Sequence, residues 1–185
     1  MKKKEIGILV GSLRKRAFSR SVANLIMDIA PSSFNIRIIE IGNLPIYNQD
    51  FDDEEPSEAY SQFRATIKDL DAVLLITAEH NRSIPAVLKN ALDVASRPWG
   101  QNVWAGKPGA IISQSFGAIG GFGANQHLRQ VVSFLDIHMM SQPECYLGEI
   151  MNSMDENGTI TSERTISFLQ NFMTAYEQWV NQFYK

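Results

Sequence analysis

The sequence predicts an α/β fold in which a parallel sheet of five strands carries helices on both faces. Three observations lead there. Short apolar runs alternate with longer segments of helical period, the pattern of repeated strand–helix–strand crossovers. The first run, Ile6-Gly7-Ile8-Leu9-Val10, is apolar apart from its glycine, as in a strand covered on both faces. No internal repeat, low-complexity tract or linker interrupts the 185 residues, a length suited to one domain with one sizeable core.

After the strand at residues 6–10, a helix is predicted over 19–29, where Val22, Leu25, Ile26 and Ile29 share one stripe, and Pro31-Ser32-Ser33 ends it. A second strand follows over 36–41, then a loop over 44–56 rich in Pro, Asn and Asp, a helix over 57–68 and a third strand over 72–77. Pro85 sits in the first turn of the next helix, with Ser83 in its cap region and Leu88, Ala91, Leu92 and Ala95 at the spacing of a buried face. Lys89 and Asp93, four apart on that helix, read as a surface ion pair. Residues 109–113 form the fourth strand, a glycine-rich turn feeds a helix over 121–136, and 137–140 make the fifth strand. The closing helix spans 162–184, with Ile166, Leu169, Phe172, Met173, Tyr176 and Val180 on its apolar face. Of the two common doubly wound strand orders, the flavodoxin-like 2-1-3-4-5 has this count and length. In either order ligands bind beyond the carboxyl ends of the strands, so function is sought in the loops at that edge.

Composition narrows the function classes. Apolar residues make up 44% and charged residues 20%, an ordinary globular balance. A net charge of −3 argues against bulk electrostatic binding of nucleic acid or an anionic membrane. Cys145 is the single cysteine, which excludes an intrachain disulfide, and with the scattered His80, His127 and His138 it does not make a usual structural zinc site. The basic start is followed by too short an apolar run for a signal peptide, and no run approaches the ~18 apolar residues of a membrane helix. The expectation is a soluble cytoplasmic protein that binds small molecules, with no nucleic-acid, membrane or metal partner.

The first loop stands out by charge. From Gly11 to Ala23 there are four basic residues, Arg14, Lys15, Arg16 and Arg20, and no acidic one. Cations at a helix N-terminus oppose the macrodipole, so the cluster is unfavourable without a partner. An anion held by backbone N–H groups, the hydroxyls of Ser12 and Ser19 and the Arg14 guanidinium reverses that balance; a solvated basic loop with Ser19 as an ordinary cap is the plainer alternative. The loop has neither the Walker spacing nor the dinucleotide glycine pattern, and Gly121-Phe122-Gly123 lacks the third glycine of the latter.

Two further loops share that edge. Ala78-Glu79-His80-Asn81 follows the third strand and offers backbone and side-chain polar groups to the rim of a planar heterocycle, with turn and helix-end roles as the alternative. Ser113-Gln114-Ser115 ends the fourth strand, and Gly117, Gly120, Gly121 and Gly123 permit close backbone approach beyond it. His127 and Arg129 fall on the surface of the following helix.

Taken together, Gly11-Ser12-Leu13-Arg14-Lys15, Leu44-Pro45-Ile46-Tyr47-Asn48, Glu79-x-Asn81 with Ser83-x-Pro85, Leu88-Lys89-Asn90-Ala91-x-Asp93, Lys107-Pro108, Gly120-Gly121, His127-Leu128-Arg129-Gln130 and Pro143-Glu144 resemble the NADPH-dependent FMN reductase family, which includes bacterial chromate and quinone reductases and related azoreductases. The resemblance spans roughly residues 5 to 150 and implies a flavodoxin-like fold, bound FMN, and electron transfer from NADPH or NADH to an acceptor such as a quinone, azo dye, metal oxyanion or free flavin. By the same resemblance Ser12, Leu13, Arg14, Lys15, Arg16, Ala17, Phe18 and Ser19 hold the FMN phosphate. Ala78, Glu79, His80 and Asn81 edge the isoalloxazine, and Ser113, Gln114 and Ser115 form a third contact. No catalytic side chain is implied, because the chemistry belongs to flavin N5. Arg16-Ala17-Phe18-Ser19 stands where the family commonly has Gly-Ser-Phe-Asn, and Ala78 and His80 replace Pro and Tyr. A homodimer or homotetramer is expected to help wall the site, with Trp99, Trp104 and Phe116 as apolar contributors. Two other readings are a flavodoxin-type electron carrier and a non-redox binding or regulatory protein that has lost FMN.

Overall fold

The computed structural model describes residues 2–53 and 57–184. Its elements run β1 (Lys4–Val10), α1 (Phe18–Asp28), β2 (Phe34–Ile39), α2 (Asp50–Asp53), α3 (Glu58–Lys68), β3 (Ala72–Ala78), α4 (Ala86–Ala95), β4 (Pro108–Gln114), α5 (Phe122–Phe134), β5 (His138–Met139), β6 (Cys145–Leu147), a 3₁₀ turn (Ile150–Ser153) and α6 (Glu163–Asn181). The strands pair in parallel in the order β2-β1-β3-β4-β5, with β6 also on β4. The expected doubly wound order is therefore the observed one.

The inner strands are apolar because both their faces are covered. Ile6, Ile8, Ala72, Leu74, Ile76, Ala110 and Ile112 face α1 and α6, while Leu9, Val73, Leu75 and Ile111 face α3, α4 and α5. Tyr176 of α6 is fully buried on the first face and donates its hydroxyl to the Val73 carbonyl at 2.8 Å, so burial leaves no donor unpaired. Register then sets the functional edge. Val10 pairs with Ile76, Thr77 with Ser113 and Ala78 with Gln114, so the loops after β1, β3 and β4 leave the sheet side by side.

Four expectations are corrected. The fifth strand position holds two short pieces instead of one run over 137–140: β5 pairs with Pro108 and Gly109, and β6 pairs with Ile112, Ser113 and Gln114. Pro143, which has no N–H to donate, lies in the gap between them. The loop over 44–56 contains the one-turn α2, and its residues 54–56 lie outside the described residues. Pro85 is the N-cap of α4 and not in its first turn, and the Ser83 hydroxyl is hydrogen-bonded to His127 Nδ1 at 2.8 Å instead of capping α4. Trp104 is fully buried beneath α4, its indole N–H donating to the Leu92 carbonyl at 3.0 Å, so it walls no subunit contact. Lys89 and Asp93 do form an exposed ion pair at 2.8 Å.

Candidate functional site

The first loop enters α1 without a side-chain cap. Ala17 is the N-cap and supplies no side-chain acceptor, and the first turn contains no acidic residue. Phe18 and Ser19 thus begin a helix whose N–H groups and partial positive charge face a loop of cations. Leu13, Arg14, Lys15 and Arg16 are exposed, and among the described residues none of the three cations is in an ion pair. Arg20, the fourth, is held by both oxygens of Glu40 at 2.9 and 3.1 Å, and its guanidinium holds the Glu40 carboxyl below its ordinary range. Ser19 is fully buried and its hydroxyl has no hydrogen-bond partner. An orphaned buried hydroxyl costs stability, and this one lies in the first turn of a helix that has no side-chain cap and follows three exposed cations, a set suited to an anionic oxygen ligand. A phosphate monoester fits this donor set: it is acceptor-rich, doubly charged and needs no counter-base.

The second loop is a two-residue hairpin. His80 and Ser83 exchange both backbone hydrogen bonds at 2.9 Å, and Asn81 and Arg82 between them have φ of 50° and 66°. Positive φ at both central positions is a type I′ turn, for which Asn is suited and Arg is not. The turn keeps the exposed Asn81 at the rim. Glu79 behaves differently from expectation. Its carboxylate accepts from the Ala124 N–H in the first turn of α5 at 3.1 Å and from Arg82 at 3.2 Å. Its sequence position suggests an ionic role at the next helix, α4, yet it caps the helix after that.

In the third loop, Ser113 is fully buried, donating to the Cys145 carbonyl at 3.3 Å and accepting from Asn125 at 3.2 Å. Its hydroxyl holds the loop from below. Gln114 is almost as buried, and Ser115 is half-buried with its hydroxyl on the Gly117 carbonyl at 2.9 Å. The turn beyond is stitched to the segment after β6: Ser115 N–H to Leu147, Ile150 N–H to Ser115 and Glu149 N–H to Gly117 carbonyls at 3.1, 3.2 and 3.1 Å. Gly120 lies at φ 61°, where a Cβ would come within 2.8 Å of the Gly148 and Leu147 amides. The exposed Phe116 packs edge-on against Phe18, ring centres 5.0 Å apart, joining the first and third loops. Sequence reading missed Asn125 and the 145–150 segment as supports of this loop. Arg129 is half-buried, its guanidinium donating to the Asn125 side-chain oxygen and the Met140 carbonyl.

A groove of about 470 Å³ runs between the first two loops, lined by Gly11, Ser12, Leu13, Arg14, His80 and Pro85–Val87. Behind it, the loop after β2 is fixed by Asn90, which is nearly buried. Its amide accepts from the Tyr47 N–H at 2.8 Å and donates to the Leu44 and Pro45 carbonyls at 3.4 and 2.9 Å. That network is the physical content of the Leu44–Asn48 and Leu88–Asp93 sequence patterns. Among the described residues no cluster of three His, Cys, Asp or Glu side chains could hold a metal ion, and no helix is long and apolar enough to cross a membrane. Cys145 is buried, and burial raises its thiol well above the ordinary range, so it offers no nucleophile.

The chain is similar to known proteins over nearly its whole length. The model of the NADPH-dependent FMN reductase family matches residues 5–152. A quinone reductase from Pseudomonas putida is 49% identical over 175 residues, covering 95% of this chain and 94% of that one. A 2-hydroxy-1,4-benzoquinone reductase from a Burkholderia species is 50% identical over 176 residues, covering 95% and 96%. Among solved structures, the flavoenzyme NAD(P)H:(acceptor) oxidoreductase FerB from Paracoccus denitrificans superposes with a TM-score of 0.89 at 37% identity, covering 97% of this chain and 98% of that one.

Proposed function

The chain belongs to the NADPH-dependent FMN reductase family, and from that premise we propose that it is a single-domain, cytoplasmic, FMN-dependent NAD(P)H:quinone reductase. The observation that carries the cofactor reading is the first loop: a buried hydroxyl on Ser19 with no partner, in the first turn of a helix without a side-chain cap, after three cations that form no ion pair among the described residues. Ser12, Leu13, Arg14, Lys15, Arg16, Ala17, Phe18 and Ser19 would hold the phosphate through backbone N–H groups, two hydroxyls and the guanidinium of Arg14. Ala17 contributes only its backbone here, and the charge of Arg16 compensates for the missing hydroxyl. Ala78, Glu79, His80 and Asn81 would edge the isoalloxazine through backbone groups, with Gln114 and Ser115 on the adjoining strand end and Ser113 supporting them.

When bound, FMN would supply the two-electron redox chemistry between NAD(P)H and the acceptor. The side chains would need only to position the cofactor, exclude water and balance charge. The relatives named for quinone reduction favour a quinone as acceptor; azo, metal-oxyanion and free-flavin acceptors belong to the same two-electron chemistry and are further candidates.

The test is direct. Purified protein is expected to carry or take up FMN with a flavin absorption spectrum, which NADPH bleaches anaerobically and a quinone such as menadione restores. Arg14→Ala is expected to weaken FMN binding by about 1.5–3 kcal/mol, the loss of a charged hydrogen bond. Unchanged affinity would show that the guanidinium is no phosphate ligand.

A homodimer or homotetramer is part of the same reading. Trp99 and Phe134 are 78% and 77% exposed and line one shallow cavity of about 270 Å³ with Gly100 and Leu135. Two large apolar rings standing together in water mark an association surface. Trp99→Asp is expected to move the protein toward the monomer in sedimentation analysis; an unaltered sedimentation coefficient removes this surface from the assembly.

A further inference from the structure

We propose that the side chain of Glu79 is a positioning residue that locks the second and third loops into one rigid frame, and not a ligand of the cofactor. The inference rests on the FMN reading above. Both carboxylate oxygens are already engaged: Oε2 accepts from the Ala124 N–H at 3.1 Å and Oε1 from the Arg82 guanidinium at 3.2 Å. The Glu79 side chain is only 12% exposed, whereas that of Arg82 is 76% exposed. The contact joins elements that are distant in sequence, since Ala124 lies 45 residues beyond Glu79.

The surroundings are shaped for it. Gly121, the N-cap of α5, has no side chain to cap the helix, so the carboxylate arriving from the neighbouring loop does so. Its charge also sits favourably at the positive end of the helix. Gly123 admits it: a Cβ there would stand 3.0 Å from Glu79 Oε2. The Gly121-Phe122-Gly123 run that invites a nucleotide-loop reading thus makes room for an acid. A second tie, Ser83 Oγ to His127 Nδ1 at 2.8 Å, joins the same hairpin to the same helix.

Both loops have reason to drift. The hairpin holds Arg82 at φ 66°, an unfavourable setting for a residue with a Cβ, and the third loop is rich in glycine. Clamping them together before the cofactor arrives removes an ordering cost from binding. The same ion pair neutralises Arg82 at the rim, so the bound flavin does not feel an unbalanced cation there.

Glu79→Gln and Glu79→Ala separate these effects. Glutamine keeps an acceptor for the Ala124 N–H and loses the charge; alanine loses both. The Ala124 amide of the FMN-free protein is expected to exchange faster in Glu79→Ala and to be protected again in Glu79→Gln. FMN affinity, read by quenching of flavin fluorescence, is expected to fall about tenfold in Glu79→Ala and to return in Glu79→Gln. The midpoint potential of bound FMN is expected to rise in Glu79→Gln, where Arg82 is left uncompensated, and to fall back when Arg82→Ala is added. Wild-type FMN affinity in Glu79→Ala, whatever its melting temperature, would overturn the proposal. Failure of the wild-type protein to bind FMN would overturn the cofactor reading itself, while the amide exchange would still decide the clamp.

Discussion

Arg64→Met is expected to destabilise the protein by about 3–5 kcal/mol, the loss found when one partner of a buried ion pair is removed. Arg64 projects from α3 with both terminal nitrogens on Asp52, at 2.6 and 2.7 Å, and its Nε on the Val94 carbonyl at 2.9 Å. The side chains are 11% and 2% exposed, so the pair is screened little by solvent. The energy comes less from the attraction itself than from what removal leaves behind: an Asp52 carboxylate sealed from water with no cation, and a carbonyl without its donor. The ring of Tyr60 lies 5.3 Å from the guanidinium, and its hydroxyl in turn accepts from the Asn48 N–H and donates to the Ile46 carbonyl. Loss of Arg64 therefore reaches the whole loop after β2. For a chain of this size the melting temperature is expected to drop by roughly 10 °C. Because the penalty is an orphaned charge, Asp52→Asn in the Arg64→Met background is expected to recover part of it. A double variant less stable than the single one would mean that Asp52 is not sealed from water.

How much of this was legible beforehand follows the range of the interactions. The inner strands β1 and β3 could be read because burial on both faces demands an apolar run, which is a local property of the sequence; the edge strand β2, with Asn35 and Arg37 exposed, follows from the alternation of elements, and the order is the one of two common doubly wound orders that suits this count and length. The helices could be read for the same reason, from stripes such as Leu169, Phe172, Met173, Tyr176 and Val180, all buried. The cationic first loop was legible as a charge anomaly, and the structure adds the orphaned Ser19 hydroxyl that composition cannot reveal. What escaped depends on partners far along the chain. Cys145-Tyr146-Leu147 is too short to signal a strand and becomes one only against β4. Trp104 lies in the connection between a helix and a strand and reads as a loop tryptophan, yet it packs against Phe63 of α3 and donates to the Leu92 carbonyl of α4. Arg129 looks exposed by helical position and is half-buried, donating to Asn125 and the Met140 carbonyl. Glu79 could be placed just beyond the carboxyl end of β3, but its side-chain hydrogen bond is to an amide that no local pattern could have paired with it.

Gly120→Ala is the other substitution of large expected effect, and here the cost arises from two sources that can be separated. The residue has φ 61°, where a side chain costs about 1–2 kcal/mol. A Cβ would also meet the backbone of the β6 segment, 2.6 Å from the Tyr146 carbonyl carbon and 2.8 Å from the Leu147 and Gly148 amide nitrogens. These are main-chain atoms that cannot rotate away, so the third loop must shift, at about 1–3 kcal/mol more. The sum is a loss of about 2–5 kcal/mol. Gly106→Ala is the control, since Gly106 has φ 77° with nothing within 4 Å of its Cβ position, and only the conformational share applies. The excess of Gly120→Ala over Gly106→Ala in chemical denaturation measures the collision alone. The displaced loop carries Ser115 and Phe116 and leads through Gly121 into α5, where Glu79 is anchored. FMN affinity is therefore expected to fall in Gly120→Ala and to stay at the wild-type level in Gly106→Ala. Equal stability losses in the two variants would mean that the third loop yields freely at Gly120, and a loop that yields freely cannot be the rigid wall that a bound flavin requires.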